Sequence, residues 1–280
     1  SEGSIFGFLG KNGAGKTTTM KLILGFLKPT AGDIFVSGEK VTYGDTKTNR
    51  FIGYLPDVPS FYGYMNPKEY LRLCGRIAGM DKETIEKKSS ELLSLVGLDG
   101  VHRRTRGFSR GMKQRLGIAQ ALLNEPKLLL CDEPTSALDP IGRKEILEIL
   151  QAVKDRTTVV FSTHILNDVE RICDQICLLD HGKIRLEGDM GEVKRSFHKP
   201  GVSITFLDEK NVEVYKQKLA ALPEVLDVTL ENSASITIEL VPGANERALL
   251  EWVFKENVPL KKFELLEPSL ERVFLEVVET

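Results

Sequence analysis

The sequence is short of cysteine, has no excess of either charge and contains no long apolar run, and each shortage removes a class of protein. Four cysteines in 280 residues (Cys74, Cys131, Cys173, Cys177) are too sparse for a disulfide framework. None forms a C-x-x-C pair, so a reducing compartment is the simpler expectation. Cys173 and Cys177 stand four apart, a helical spacing, and with no second pair of ligands nearby they read as packed helix thiols. A formal net charge of -2 leaves no basic footprint, so nucleic acid is not expected as a partner. No apolar run approaches the roughly eighteen residues that span a bilayer, and no signal-peptide pattern is recognisable. Any membrane association is therefore expected to come through a partner. An initiator Met is also missing, and only nine residues precede Gly10. The expectation is an N-terminally truncated chain that opens inside its first strand.

What is present is arranged around Gly10-Lys11-Asn12-Gly13-Ala14-Gly15-Lys16-Thr17, which matches G-x-x-x-x-G-K-[ST] at every fixed position. The apolar Ile5 to Leu9 reads as a strand before it, and Thr18 to Leu27 as a helix after it. Glycines at positions 10, 13 and 15 let several amide N–H groups point into one hollow, where a helix N-terminus adds partial positive charge. Phosphate fits such a hollow. Lys16 then reaches the terminal phosphates of a nucleotide, and the Thr17 hydroxyl is placed for Mg2+.

Gly32 to Gly38 reads as a short strand and turn, and Phe51 to Leu55 as a second apolar strand stopped by Pro56, with Asp57 directly after. From Asn66 to Leu98 the pattern turns helical, with Asn66-Pro67 and Asp81 as helix starts. The run Arg103-Arg104-Thr105-Arg106 suits a solvated loop and a phosphate contact equally. Ser109 and Gly111 precede a helix with Met112, Leu116, Ala119 and Leu123 on one face, so that helix end is able to hold an anion. Taken alone, Ser-x-Gly before a helix is common capping chemistry.

Leu128-Leu129-Leu130-Cys131 describes a strand buried on both faces, with Asp132 and Glu133 where it emerges. Asp132 is suited to holding Mg2+, and Glu133 to orienting or deprotonating an attacking water. Ser136 to Asp139 is a loop before a helix that begins near Pro140. A further buried strand, Thr157 to Ser162, ends in Thr163-His164. His164 should open onto the same sheet edge and reach a γ-phosphate. His102, His181 and His198 read as surface residues, and Ile176 to Ile184 as a strand pair joined by a glycine turn.

In this order the stretches resemble one family, the ATP-binding-cassette (ABC) ATPases, over residues 1 to about 190. Gly10 to Thr17 corresponds to Walker A, Phe108 to Gln114 to the signature loop, and Leu128 to Glu133 to Walker B with its glutamate. Ser136 to Asp139 corresponds to the D-loop and His164 to the switch histidine. The resemblance implies ATP and Mg2+ as cofactors. Gly10, Asn12, Gly13, Ala14, Gly15, Lys16, Thr17 and Thr18 would bind the nucleotide, and Ser109 and Gly111 would bind it in trans within a head-to-tail homodimer. Lys16, Glu133 and His164 would be catalytic, and Thr17, Asp132 and Asp57 would face the metal. Three departures stand out. The aromatic residue that stacks on adenine would lie upstream of this chain, so altered nucleotide affinity is expected. Asp57 stands where the family has glutamine, and Arg110 replaces a small signature residue.

The wording Phe-Ser-Arg-Gly-Met-Lys-Gln-Arg is similar to a branch of exporter ATPases that serve separately encoded multi-span permeases. The tail agrees. Strand, helix, two strands, helix and strand follow between Gly201 and Leu266, a βαββαβ order that suggests a small ferredoxin-like module. Pro268 to Leu275 then opens a last helix with Ser269 as cap, similar to the ending of the same exporters. The expected architecture is an α/β P-loop NTPase sheet over residues 1–189 with a helical insertion at about 58–125, plus an α+β accessory domain over 190–280. The expected protein is a cytoplasmic exporter motor, peripheral on the membrane, with no cargo legible. A soluble non-transport cassette is the alternative, although such proteins usually carry two cassettes, a long coiled coil or zinc knuckles. A P-loop small-molecule kinase is argued against by Glu133 after Asp132.

Overall fold

The structure, a computed structural model, describes residues 2–45, 47–197 and 199–278. It separates into two units. One runs up to Gly191 and takes in the chain from Phe274 onward; the other is Glu192–Val273.

In the first unit β1 (Ile5–Leu9) leads through the glycine loop into α1 (Lys16–Ile23). A two-residue hairpin follows, β2 (Phe35–Val36) with β3 (Glu39–Lys40), and then β4 (Ile52–Leu55). Three helices come next without a strand between them: α2 (Pro67–Ile77), α3 (Lys82–Leu95) and α4 (Arg110–Leu122). The side chains of Asn66 and Glu69 each accept the other's backbone N–H in a capping box, and the Asp81 carboxylate accepts the Thr84 N–H, so α2 and α3 start at Asn66-Pro67 and Asp81 as the sequence predicts. The chain returns to the sheet through β5 (Leu128–Asp132), α5 (Pro140–Val153), β6 (Thr158–Thr163), α6 (Leu166–Ile172), β7 (Gln175–Asp180) and β8 (Lys183–Asp189); α7 (Met190–Ser196) follows, its residues from Glu192 onward belonging to the second unit.

The strand order is β4-β5-β6-β1-β7-β8, parallel except for the last pair. Parallel strands need covered faces. Met20 of α1 and Leu24, which follows its last residue, supply one cover, packing on Leu130. Because β1, β6 and β5 are neighbours and parallel, their C-terminal ends open onto one edge, which is where such sheets bind ligands.

The second unit holds β9 (Gly201–Phe206), α8 (Val212–Ala220), β10 (Val225–Asn232), β11 (Ser235–Leu240), α9 (Arg247–Lys255) and β12 (Leu260–Leu265); α10 (Leu270–Val278) ends the described chain. Its sheet, β10-β11-β9-β12, is antiparallel throughout, the arrangement of a split βαβ module. Val202, Ile204, Phe206, Leu219, Ile236, Ile238 and Leu249 form its core.

Three expectations are corrected. The first helix ends at Ile23 rather than Leu27, because Gly25 takes a φ of 71° that a continuing helix does not allow. The segment Gly32 to Gly38 contributes only Phe35–Val36 as strand. Cys173 and Cys177 do not share a helix: Cys173 ends α6 in an extended conformation and Cys177 lies within β7. The apolar run Ile176–Leu179 is buried in the sheet, and that burial outweighs the helical spacing. His102 and His181 are exposed, while His198 lies outside the described residues.

Candidate functional site

Where β1 ends, Gly10 is pressed against the neighbouring strand: a Cβ there would stand 2.5 Å from the Leu179 carbonyl oxygen. The Ala14 N–H closes the loop on the Lys11 carbonyl at 3.1 Å, and Gly15 starts α1 with a φ of 113°. That conformation is open to glycine and strained for other residues. Lys16, the first residue of α1, is 6% exposed. Its Nζ donates to the carbonyls of Gly10 at 2.7 Å and Lys11 at 3.3 Å, and pairs with Glu133 Oε1 at 3.2 Å. The Thr17 hydroxyl donates to Asp132 Oδ2 at 2.7 Å. Asn12 and Thr18 face solvent, and Ala14 is buried.

Asp132 is buried, and its other oxygen, Oδ1, accepts the Ser162 hydroxyl at 2.6 Å. Ser162 is its register partner on β6. Glu133 leaves the strand with a φ of 48°, a conformation that costs a non-glycine residue about 1–2 kcal/mol. Its N–H is held by the Ser162 carbonyl at 3.0 Å, and its Oε2 lies 2.9 Å from His164 Nδ1. The contact needs one proton between the two atoms, carried on Nδ1 when the carboxylate is ionised. Lys16, Thr17, Asp132, Glu133, Ser162 and His164 thus form one connected network at the ends of β1, β5 and β6. Tyr54 stands near it, its hydroxyl pushed up to about 12 by burial and by the charges of Asp132 and Asp57. The phenol stays neutral at physiological pH.

Ser109 and Gly111 occupy another place, the N-terminal end of α4. The Ser109 hydroxyl accepts the Met112 N–H at 3.2 Å, and a cavity of about 250 Å3 opens between this end and the turn at Ala137–Gly142. Asp57 belongs to the same neighbourhood: its carboxylate accepts from Arg110 at 2.9 Å, and its carbonyl from the Gln114 amide at 2.6 Å. Arg103 stacks on Phe108 at 5.5 Å, while Arg104 and Arg106 are exposed.

Sequence reading missed two of these residues. Ser162 was legible only as the polar end of an apolar strand, and Gln114 only as the last residue of the signature-like stretch Phe108 to Gln114, neither with a role in the site.

The residues suit a hard divalent cation. A hydroxyl and a carboxylate oxygen 2.7 Å apart, backed by a second hydroxyl, are the oxygen donors that Mg2+ shares with phosphate and water. Among the described residues no group of three or more His, Cys, Asp or Glu is gathered as a closed metal cage.

The ABC transporter family model matches residues 1–136, and the model of the C-terminal domain of DrrA1-3-like ATP-binding proteins matches 188–278. The ABC transporter ATP-binding protein YxlF of Bacillus subtilis is 40% identical over 99% of this chain and 91% of its own length. The bacitracin transport ATP-binding protein BcrA of Bacillus licheniformis is 35% identical over 99% and 89%. A solved ATP binding subunit of an ABC transporter superposes with a TM-score of 0.62 at 34% identity, over 70% of this chain and 82% of that one. The cassette MJ0796, solved as a dimer in a post-hydrolysis state with ADP and Pi, gives 0.60 at 27% identity over 68% and 87%.

Proposed function

The chain belongs to the ABC transporter ATP-binding proteins, which bind and hydrolyse ATP, and from that membership we propose that it is the motor subunit of an exporter. Two copies close around ATP and drive a separate multi-span permease from the cytoplasmic face. The observation that carries the chemistry is the network of Lys16, Thr17, Asp132, Glu133 and His164 at one sheet edge.

A phosphate tail laid along the amides of Gly13 to Thr17 meets the N-terminus of α1 and the Lys16 ammonium. Lys16 turns from the Gly10 and Lys11 carbonyls to a γ-phosphate oxygen, where its charge stabilises the transition state. Glu133, released from Lys16, is free to take a proton from the attacking water, and His164 holds that carboxylate in position. Thr17 and Asp132 would hold Mg2+, which would supply charge neutralisation for the phosphates. In the closed dimer Ser109 and Gly111 of one copy present a helix N-terminus to the nucleotide of the other.

The export branch rests on the likeness to BcrA and on the C-terminal module. No helix among the described residues is long and apolar enough to cross a membrane, and the crossing is assigned here to the permease. Val58, Tyr62 and Tyr64, exposed by 67%, 55% and 63% between β4 and α2, offer the permease an apolar hold.

Glu133→Gln tests the chemistry. Steady-state phosphate release should fall by about a hundredfold or more, with ATP retained and a dimer trapped on a sizing column. Hydrolysis at the wild-type rate would remove Glu133 as base. Co-purification of a membrane protein from native extract tests the transport arm.

A further inference from the structure

We propose that Arg110 is a positioning residue: with Gln114 it latches the exit segment of β4 to the N-terminal end of α4, so that Ser109 moves with that segment. The inference rests on the reading above, because Ser109 acts only if its helix end meets a phosphate.

Arg110, Gln114, Gly117 and Ala121 follow one another at spacings of four, three and four, one face of a helix. All four meet the chain between Gly53 and Pro59. Arg110 Nη2 donates to the Asp57 carboxylate at 2.9 Å. Gln114, fully buried, donates its side-chain amide to the Asp57 carbonyl at 2.6 Å. At Gly117 a Cβ would stand 2.5 Å from Leu55 Cδ1 and 3.3 Å from Pro59 Cβ, so the helix backbone lies directly on the segment. A Cβ on Gly53 would collide with the Ala121 carbonyl oxygen, and there the contact is between backbones. A segment gripped at four levels cannot slide along α4 without breaking several contacts at once.

Two departures in the sequence therefore explain each other. An acid at position 57 and a base at position 110 are each unusual alone, and they face one another in the fold. Arg110 and Asp57 are 40% and 49% exposed, so their pair is the outer, salt-sensitive tie, and Gln114 is the inner one.

Amide hydrogen exchange on the full chain without added nucleotide tests the latch independently of hydrolysis. Arg110→Gly should speed exchange at the Met112 and Lys113 amides, which bond to Ser109, by about two- to fivefold at low salt, the size of effect an exposed ion pair supports. Added salt should narrow that difference. The reversed pair Asp57→Arg/Arg110→Asp should restore protection. Gln114→Leu should loosen the same residues by about tenfold, because it takes the buried amide donor away from the Asp57 carbonyl. In hydrolysis assays Arg110→Gly should raise the ATP concentration for half-maximal rate while kcat stays within about twofold, since the chemistry lies at the ends of β1, β5 and β6. Unchanged exchange in Arg110→Gly, or a reversed pair as loose as the single variants, would overturn the latch. If exchange responds as described while the wild type neither hydrolyses ATP nor dimerises, the latch stands and the motor reading falls.

Discussion

In the first unit β5 is buried from Leu129 to Asp132, whereas in the second unit β10 fully buries only Val228 among eight residues. The contrast follows from strand direction. β5 sits inside a parallel sheet covered on both faces, so its body has to be apolar and its polar groups collect where it emerges. β10 is the edge of an antiparallel sheet with one wet face, and Asp227, Thr229 and Glu231 are spread along it. A doubly covered sheet concentrates chemistry at one end; a half-solvated sheet disperses it. Every residue of the nucleotide network accordingly lies in the first unit.

The contrast can be broken at several levels. Lys16→Ala removes the network's only lysine and should lower phosphate release by about a hundredfold or more, whereas Asp227→Ala on β10 should leave it unchanged. Equal losses would mean that the second sheet also carries chemistry. Leu130→Ala, in the fully covered sheet, should cost about 2–5 kcal/mol in urea unfolding. Leu230→Ala, 44% exposed on β10, should stay within about 0.5 kcal/mol. Similar costs would deny the difference in cover. The smallest effect concerns thiols, all of which lie in the first unit. Burial, with the Asp132 charge beside it, pushes the Cys131 thiol up, and burial raises Cys177 to about 11. Below those values both remain protonated thiols. Alkylation near pH 8 should therefore reach half-buried Cys74 first, and Cys131 and Cys177 only as the first unit opens. Mass spectrometry of the labelled peptides checks the order.

Much of this was legible before the fold. The glycine loop, the caps at Asn66 and Asp81, the buried run ending in Asp132 and the βαββαβ order of the tail are all written in local spacing. The parts that were not legible depend on partners distant in sequence. Ser162 gains meaning only from its register with Asp132, and Asp57 only from Arg110, 53 residues away. Cys173 and Cys177 misled for the same reason, since a spacing of four suits a helix until a sheet claims the second residue.

By itself the sequence determined which groups are available: a lysine in a glycine loop, carboxylates at the tip of an apolar strand, a serine at a helix start. Periodicity and turn chemistry act over a few residues, so they are readable in one dimension. Tertiary structure alone decided which of these groups meet. It set Lys16 against Glu133, aimed Thr17 and Ser162 at the two oxygens of Asp132, and tied Asp57 to α4. Those pairings depend on strand order and register, which arise from packing across the whole sheet.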